Sequence, residues 1–118
     1  MSSSLIAITF DCRDAAAQAA FWSGVLDRAV DPDPSEAFAS IGLPDAGPAS
    51  PALMFIAVPE GKTAKNRCHP DLLSATLDDE VARVVGLGAT KLADITEGST
   101  HWVTLADPEG NEFDIVAG

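Results

Sequence analysis

The chain is short of several things, and each shortage narrows what it can be. It has two cysteines, Cys12 and Cys68, set far apart and outside any CxxC pattern. A disulfide-stapled scaffold is excluded, and a reducing cytoplasm fits best. Basic residues are scarce: 7 Lys and Arg against 18 Asp and Glu, for a formal net charge of -11. A duplex-binding protein must neutralise phosphates, so nucleic acid is not expected as a partner. An acidic membrane surface would also repel the chain. No apolar run nears the roughly 20 residues that cross a bilayer, and MSSSLIAITF lacks the basic and apolar regions of a signal peptide. Aromatics are few, 6% with no Tyr, which leaves little for a stacking surface. Glycine patterns for phosphate or dinucleotide binding are missing; GKT at 61–63 has no glycine five residues earlier.

What is present is enough for one globular domain. The 118 residues are 47% hydrophobic and 21% charged. Two independent cores would leave about 60 residues each, the marginal end of the size range. Residues 5–12 alternate as a strand. Asp14, or Asp11 for an earlier start, caps a helix over 15–26, with Phe21, Trp22, Val25 and Leu26 on one face. DPDP at 31–34 breaks the chain, and strands are expected at 37–43 and 52–58. The polar stretch 59–66 is expected as a linker. The order then begins again. A strand fits 67–74, weakened by Pro70. Asp78 or Asp79 caps a second helix with Val81, Val84 and Val85 buried, ended by Gly86 and Gly88. Strands follow at 90–95, 101–106 and 112–116, the last two joined by the turn DPEGN at 107–111. The expected class is α+β: two tandem modules of strand, helix and three strands, about 1–58 and 67–118, packed together as a single domain over 1–118.

Several segments carry a resemblance. They are ITFDCRD (8–14) leading into AAFWSGVL (19–26), KNRCHPDLL (65–73), LGATK (87–91) and WVTLADPEGNEFDIV (102–116). In this order and spacing the chain resembles the vicinal-oxygen-chelate superfamily of glyoxalase I, bleomycin-resistance proteins and extradiol dioxygenases. It is most similar to short glyoxalase-like proteins. The resemblance implies paired βαβββ modules whose curved mixed sheets enclose a pocket, commonly in a homodimer. It also implies four metal ligands from the first and last strands of both modules. His69 and Asp114 match two of them. Ala7 stands at a third, and Phe55, or Ile56 one place on, at the fourth; none of these side chains can bind a metal.

Strand alternation places residues two apart on one face. With the arrangement that the resemblance implies, the cavity side holds His69, Asp71, Asp114 and Asp11, beside apolar Phe55 and either Trp102 and Thr104 or His101, Val103 and Leu105. Asp71 is read as a ligand-orienting carboxylate or as a half-exposed strand residue with a cross-strand partner, and Asp11 as a ligand-binding residue or as a cap or hydrogen-bond partner at the strand end. Trp102 is read as a stacking platform for a flat ligand or as packing. For His69 and Asp114 three readings stand open: a hydrogen-bonded pair in a polar pocket, a pair of metal ligands, or an acid/base pair in which Asp114 raises the His69 pKa. Lys62, Lys65 and Arg67 form a solvated stretch or a basic lip for an anion. The leading expectation is a glyoxalase-like protein that binds a small organic molecule, with lyase- or isomerase-type proton transfer and without authentic glyoxalase I activity. The alternative is a non-catalytic binder that sequesters a cationic drug, as bleomycin-resistance proteins do. No cofactor is required by either, and a divalent metal is the one candidate.

Overall fold

Elements follow from where apolar residues recur and where proline and glycine stop them. In the structure, a computed structural model that describes residues 2–118, the order is β1 (Ala7–Cys12), α1 (Ala15–Leu26), β2 (Phe38–Ile41), β3 (Ala52–Ala57), β4 (Asp71–Ser74), α2 (Leu77–Leu87), β5 (Thr90–Glu97), β6 (Thr100–Ala106) and β7 (Glu112–Ala117). The chain divides into two compact units, one ending at Gly61 and the other covering Lys62–Gly118. The class is mixed α+β, as the sequence leads one to expect.

In the first unit the strands lie in the order β1-β3-β2, with β1 parallel and β2 antiparallel to β3. Asp14 caps α1 by accepting a hydrogen bond from the Ala17 backbone N–H at 3.1 Å. Ala15 and Ala19 are fully buried, so the helix backbone can approach β2 and β3 closely. Trp22 stacks on Phe10 with ring centroids 5.5 Å apart, and Phe10 also meets Phe55 at 5.5 Å. Offset and tilted aromatic contacts of this kind add to plain area burial. The unit has three regular strands, not the four expected. Where a further strand would run, Val30 makes a single bridge to Ile41 before Asp31-Pro32-Asp33-Pro34. The two prolines lack the N–H that a ladder needs.

In the second unit the order is β4-β7-β6-β5, parallel between β4 and β7 and antiparallel elsewhere. Period-two alternation is sharpest on the β6–β7 hairpin. Val103, Leu105, Phe113 and Ile115 face α2 and are at most 2% exposed. Asp107 builds the turn: its Oδ1 accepts from the backbone N–H of Glu109 and Asn111, and its Oδ2 accepts from the Asn111 side chain. Gly110 takes the left-handed conformation, φ +89°, that the turn requires.

Two helix details depart from the expectation. Thr76, not Asp78 or Asp79, occupies the N-cap position of α2, and its side chain makes no capping bond. Asp78, Asp79 and Glu80 instead sit in the first turn, where negative charge is favourable against the helix dipole. Gly88 ends the helix, but Gly86 lies inside it. The buried stripe is Leu77, Val81 and Val84, while Val85 is exposed on the next face round.

Candidate functional site

The acidic face of β7 is dictated by what its other face must do. Phe113 and Ile115 are committed to the core, so Glu112, Asp114 and Val116 project from the opposite side of the sheet. Counting back from the turn sets the partners: Thr104 lies opposite Asp114, and Trp102 opposite Val116. Trp102 and Thr104 therefore share the face of Asp114. This settles the alternative left open by the sequence, since Val103 and Leu105 are buried beneath α2. The Thr104 hydroxyl donates to Asp114 Oδ1 at 2.6 Å.

β4 contributes the rest. It begins at Asp71, later than expected, because Pro70 cannot donate to the ladder. Asp71 pairs in register with Asp114. His69 lies just ahead of the strand, yet its ring still reaches the same face. Its Nδ1 is 3.1 Å from Asp71 Oδ1 and 3.3 Å from Asp114 Oδ2. Asp114 is the most enclosed of the three, with a side chain 14% exposed against 47% for His69 and 60% for Asp71. Together with Lys65, Trp102, Thr104, Glu112 and Val116 they line a pocket of about 390 Å³, within the usual range for small-molecule sites.

Glu112 ties the segment before β4 to the sheet. Its Oε1 accepts from Lys65 Nζ at 2.7 Å and from the Asn66 backbone N–H at 3.3 Å, while Asn66 Oδ1 accepts from the Glu112 backbone N–H at 3.1 Å. The Lys65 hydrogen bond holds the Glu112 carboxyl below its ordinary range against a smaller opposing effect of burial. Of the three basic residues, Lys65 is thus paired at the pocket rim, Lys62 donates to the Ala64 carbonyl, and Arg67 is exposed.

The structure gathers His69, Asp71, Asp114 and Trp102 at one pocket. Asp11 and Phe55 belong to the first unit. Asp11 is exposed on β1 of the first unit, and Asp14, not Asp11, caps the helix. Phe55 is fully buried against Phe10, on the face that α1 covers, so it cannot line a cavity. The register explains this. Asp11 pairs with Ile56 in the first unit as Asp71 pairs with Asp114 in the second. Ile56, which is 38% exposed, therefore holds the place of Asp114. His101 is also outside the pocket; its Nε2 is 2.6 Å from Asp94 Oδ1. That contact, with Lys91 in support, holds the Asp94 carboxyl below its ordinary range.

The donor set can be tested against a divalent cation. Ala7 and Ile56 offer no ligand atom, so two of the four positions implied by the resemblance are lost. Asp71 supplies a replacement, and one donor atom from each of His69, Asp71 and Asp114 lies within 4.8 Å of the others. One imidazole and two carboxylates suit Mn, Fe or Zn with water completing the shell. The residues present therefore fit such an ion.

Comparison with known proteins agrees with this geometry. The glyoxalase-like domain model matches residues 7–116. No curated protein matches the chain. Among solved structures, a glyoxalase/bleomycin resistance protein/dioxygenase family enzyme from Burkholderia phytofirmans is 21% identical, with 98% of each chain covered and a TM-score of 0.78. The fosfomycin resistance protein FosX of Listeria monocytogenes, complexed with Mn(II) and a dihydroxypropylphosphonic acid, is 15% identical over 100% of this chain and 92% of that one, with a TM-score of 0.78. Lactoylglutathione lyase from Agrobacterium tumefaciens is 14% identical over 100% and 96%, with a TM-score of 0.66. The alternating strands, the acidic face of β7 and the match over nearly the whole length lead to one assignment: the chain belongs to the glyoxalase-like family of the vicinal-oxygen-chelate superfamily.

Proposed function

We propose that this protein binds a small oxygen-bearing organic molecule in the pocket of the second unit and moves a proton on it through His69. The observation that carries this reading is the placement of His69 Nδ1 within 3.3 Å of two carboxylates. Those acceptors favour the tautomer with hydrogen on Nδ1, which leaves the lone pair on Nε2 as the base. Asp114 is the main partner because it is the more enclosed carboxylate, and the Thr104 hydroxyl fixes its orientation. On a bound carbonyl compound, Nε2 would take the proton from the carbon beside the carbonyl. The C–H electron pair would pass to the carbonyl oxygen as an enolate, and the same imidazolium would return the proton to a neighbouring carbon or a departing group. Lyase and isomerase outcomes differ only in that last step. A divalent ion held by His69, Asp71 and Asp114 would occupy Nδ1 and leave the ring hydrogen on Nε2, so it would supply Lewis acidity toward the carbonyl oxygen in place of the His69 base and not beside it. Authentic glyoxalase I chemistry is set aside, because residues 7 and 56 carry no ligand atom for it.

A second reading has its own support. Three carboxylates and Trp102 line the pocket, and the chain carries net charge -11, which suits sequestration of a cationic drug such as bleomycin. Against it, Trp102 is the one aromatic ring in the lining. A thermal-shift screen of the chelator-treated protein against small carbonyl metabolites, beside a bleomycin titration, separates the two. Stabilisation by a carbonyl compound that disappears in His69→Gln supports proton transfer. Heat release with bleomycin alone supports sequestration.

We further place the protein in the cytoplasm as a homodimer. Cys12 and Cys68 form no disulfide, and no helix among the described residues is long and apolar enough to cross a membrane. Light scattering on the purified chain tests the dimer.

A further inference from the structure

We propose that Lys65 is a catalytic residue of the pocket, its ammonium donating to the oxygen on which negative charge develops when His69 takes a proton from the adjacent carbon. The inference rests on the proton-transfer reading and supplies the group that reading lacks. Enolate formation places a full charge on one oxygen, and a donor already aimed at it stabilises that charge without reorganising. The lining carboxylates of Asp71, Glu112 and Asp114 oppose it. The Thr104 hydroxyl is committed to Asp114 Oδ1 at 2.6 Å. A metal ion on His69 Nδ1 would take the place of the base. Trp102 offers a neutral indole N–H, and a charge-assisted bond is roughly twice as strong as a neutral one. Among the described residues that line the pocket, Lys65 is the one cation besides the ring that receives the proton.

Lys65 is tethered at the rim. Its Nζ is 2.7 Å from Glu112 Oε1. The Asn66 backbone N–H donates to the same oxygen at 3.3 Å, and Asn66 Oδ1 accepts from the Glu112 backbone N–H at 3.1 Å. The backbone beside Lys65 is therefore docked on the start of β7. An ammonium has three N–H donors. Glu112 takes one, and the 73% exposure of the Lys65 side chain lets another turn to a ligand oxygen. The spacing also suits the task. Glu112 anchors the ammonium and Asp114 anchors the imidazole. These two anchors are two residues apart on one face of β7, about 7 Å along the strand. A base on the carbon and a donor on the oxygen of a single carbonyl unit stand about 6–8 Å apart. The Lys65 hydrogen bond keeps Glu112 ionised, so that carboxylate does not compete as an acid. In the step itself the C–H bond breaks, its proton goes to Nε2, and the electron pair reaches the carbonyl oxygen. The Lys65 protons stay on Nζ.

The test follows deuterium uptake from heavy water into hydroxyacetone by proton NMR, with the full chelator-treated chain as catalyst. The parent should exchange faster than buffer, and His69→Gln should return the rate to that of buffer. Lys65→Met should slow exchange at least about tenfold. That substitution also leaves Glu112 unpaired, so the double variant Lys65→Met/Glu112→Gln separates the two effects. A double variant as slow as Lys65→Met supports the missing donor. One that recovers the parent rate would show that Lys65 only neutralises Glu112, and would overturn the proposal. Long-range proton–nitrogen NMR of Lys65→Met should find the His69 hydrogen where the parent has it. A moved hydrogen would make Lys65 a positioning residue and also overturn the proposal. Exchange lost in His69→Gln but kept in Lys65→Met would sink this inference and leave the proton-transfer reading standing. A parent chain no faster than buffer would end both.

Discussion

The two units repeat one frame and fill it differently. Each pairs an opening strand in parallel with its closing strand, and each buries a Phe on the closing strand, Phe55 in one and Phe113 in the other. One residue further on, the first unit has Ile56 and the second has Asp114. Opposite these stand Asp11 and Asp71. The frame depends on the residues facing the helix, so the alternate residues can change without cost to it. The second unit spends them on an imidazole and three acids around a pocket. The first has no His or Glu on its strands, and its exposed Phe38 and Ile56, paired in register, give that face an apolar character.

The largest expected effect tests that register. Phe55→Glu would bury an unpaired carboxylate and remove a ring from Phe10, at a cost of at least about 4 kcal/mol. Ile56→Glu, one residue away, should cost under about 1 kcal/mol. Urea unfolding of both variants measures the gap, and equal losses would break the comparison. Next is the hairpin that positions the acidic face. Asp107 is 3% exposed and accepts three hydrogen bonds, so Asp107→Ala should cost about 2–3 kcal/mol. Its near-ultraviolet circular dichroism should change at Trp102, and not at Trp22.

The first unit has its own carboxylate hub, and it is structural. Burial raises the Asp31 pKa, but bonds from the Ser40 hydroxyl and the Leu43 and Gly42 backbone, with Arg28 nearby, outweigh that and lower it overall. A folded pKa below the unfolded value stabilises the chain above about pH 4, and the benefit is lost as pH falls through the lowered value. Asp31→Asn should therefore cost about 1 kcal/mol at neutral pH and nothing at the acid end. Parallel unfolding curves from pH 7 downward check this, the cost of the substitution shrinking as the pH falls below about 4. Smallest for stability is Asp114→Asn, expected within about 1 kcal/mol, though it should abolish the response to carbonyl ligands. A stability loss without a ligand effect would reduce Asp114 to a structural role.

Much of this was legible in the residues. The element order and the DPEGN turn follow from alternation and turn chemistry, which are local; the shared face of Asp71 and Asp114 is implied by the resemblance, because alternation along one strand does not fix the face of another. Phe55 misleads because an apolar residue between apolar neighbours carries no sign of its face. Only its pairing with Phe10 fixes that. Asp11 lies on the expected strand, but a strand position alone does not say which pocket, if any, a carboxylate joins. The Asn66–Glu112 clamp spans 46 positions, and no local pattern announces it. His69 was found for a partly mistaken reason: it is not in the strand, and Pro70 brings it to the face.

The central claim is that two carboxylates hold the ring of His69 through Nδ1. Long-range proton–nitrogen NMR on the chelator-treated chain near pH 8 tests it directly. The account expects the His69 hydrogen on Nδ1, with Asp114→Asn shifting the ring toward the Nε2–H form common in free histidine and leaving His101 unmoved. An Nε2–H ring at His69 in the parent chain, indifferent to substitution at Asp114, would contradict it.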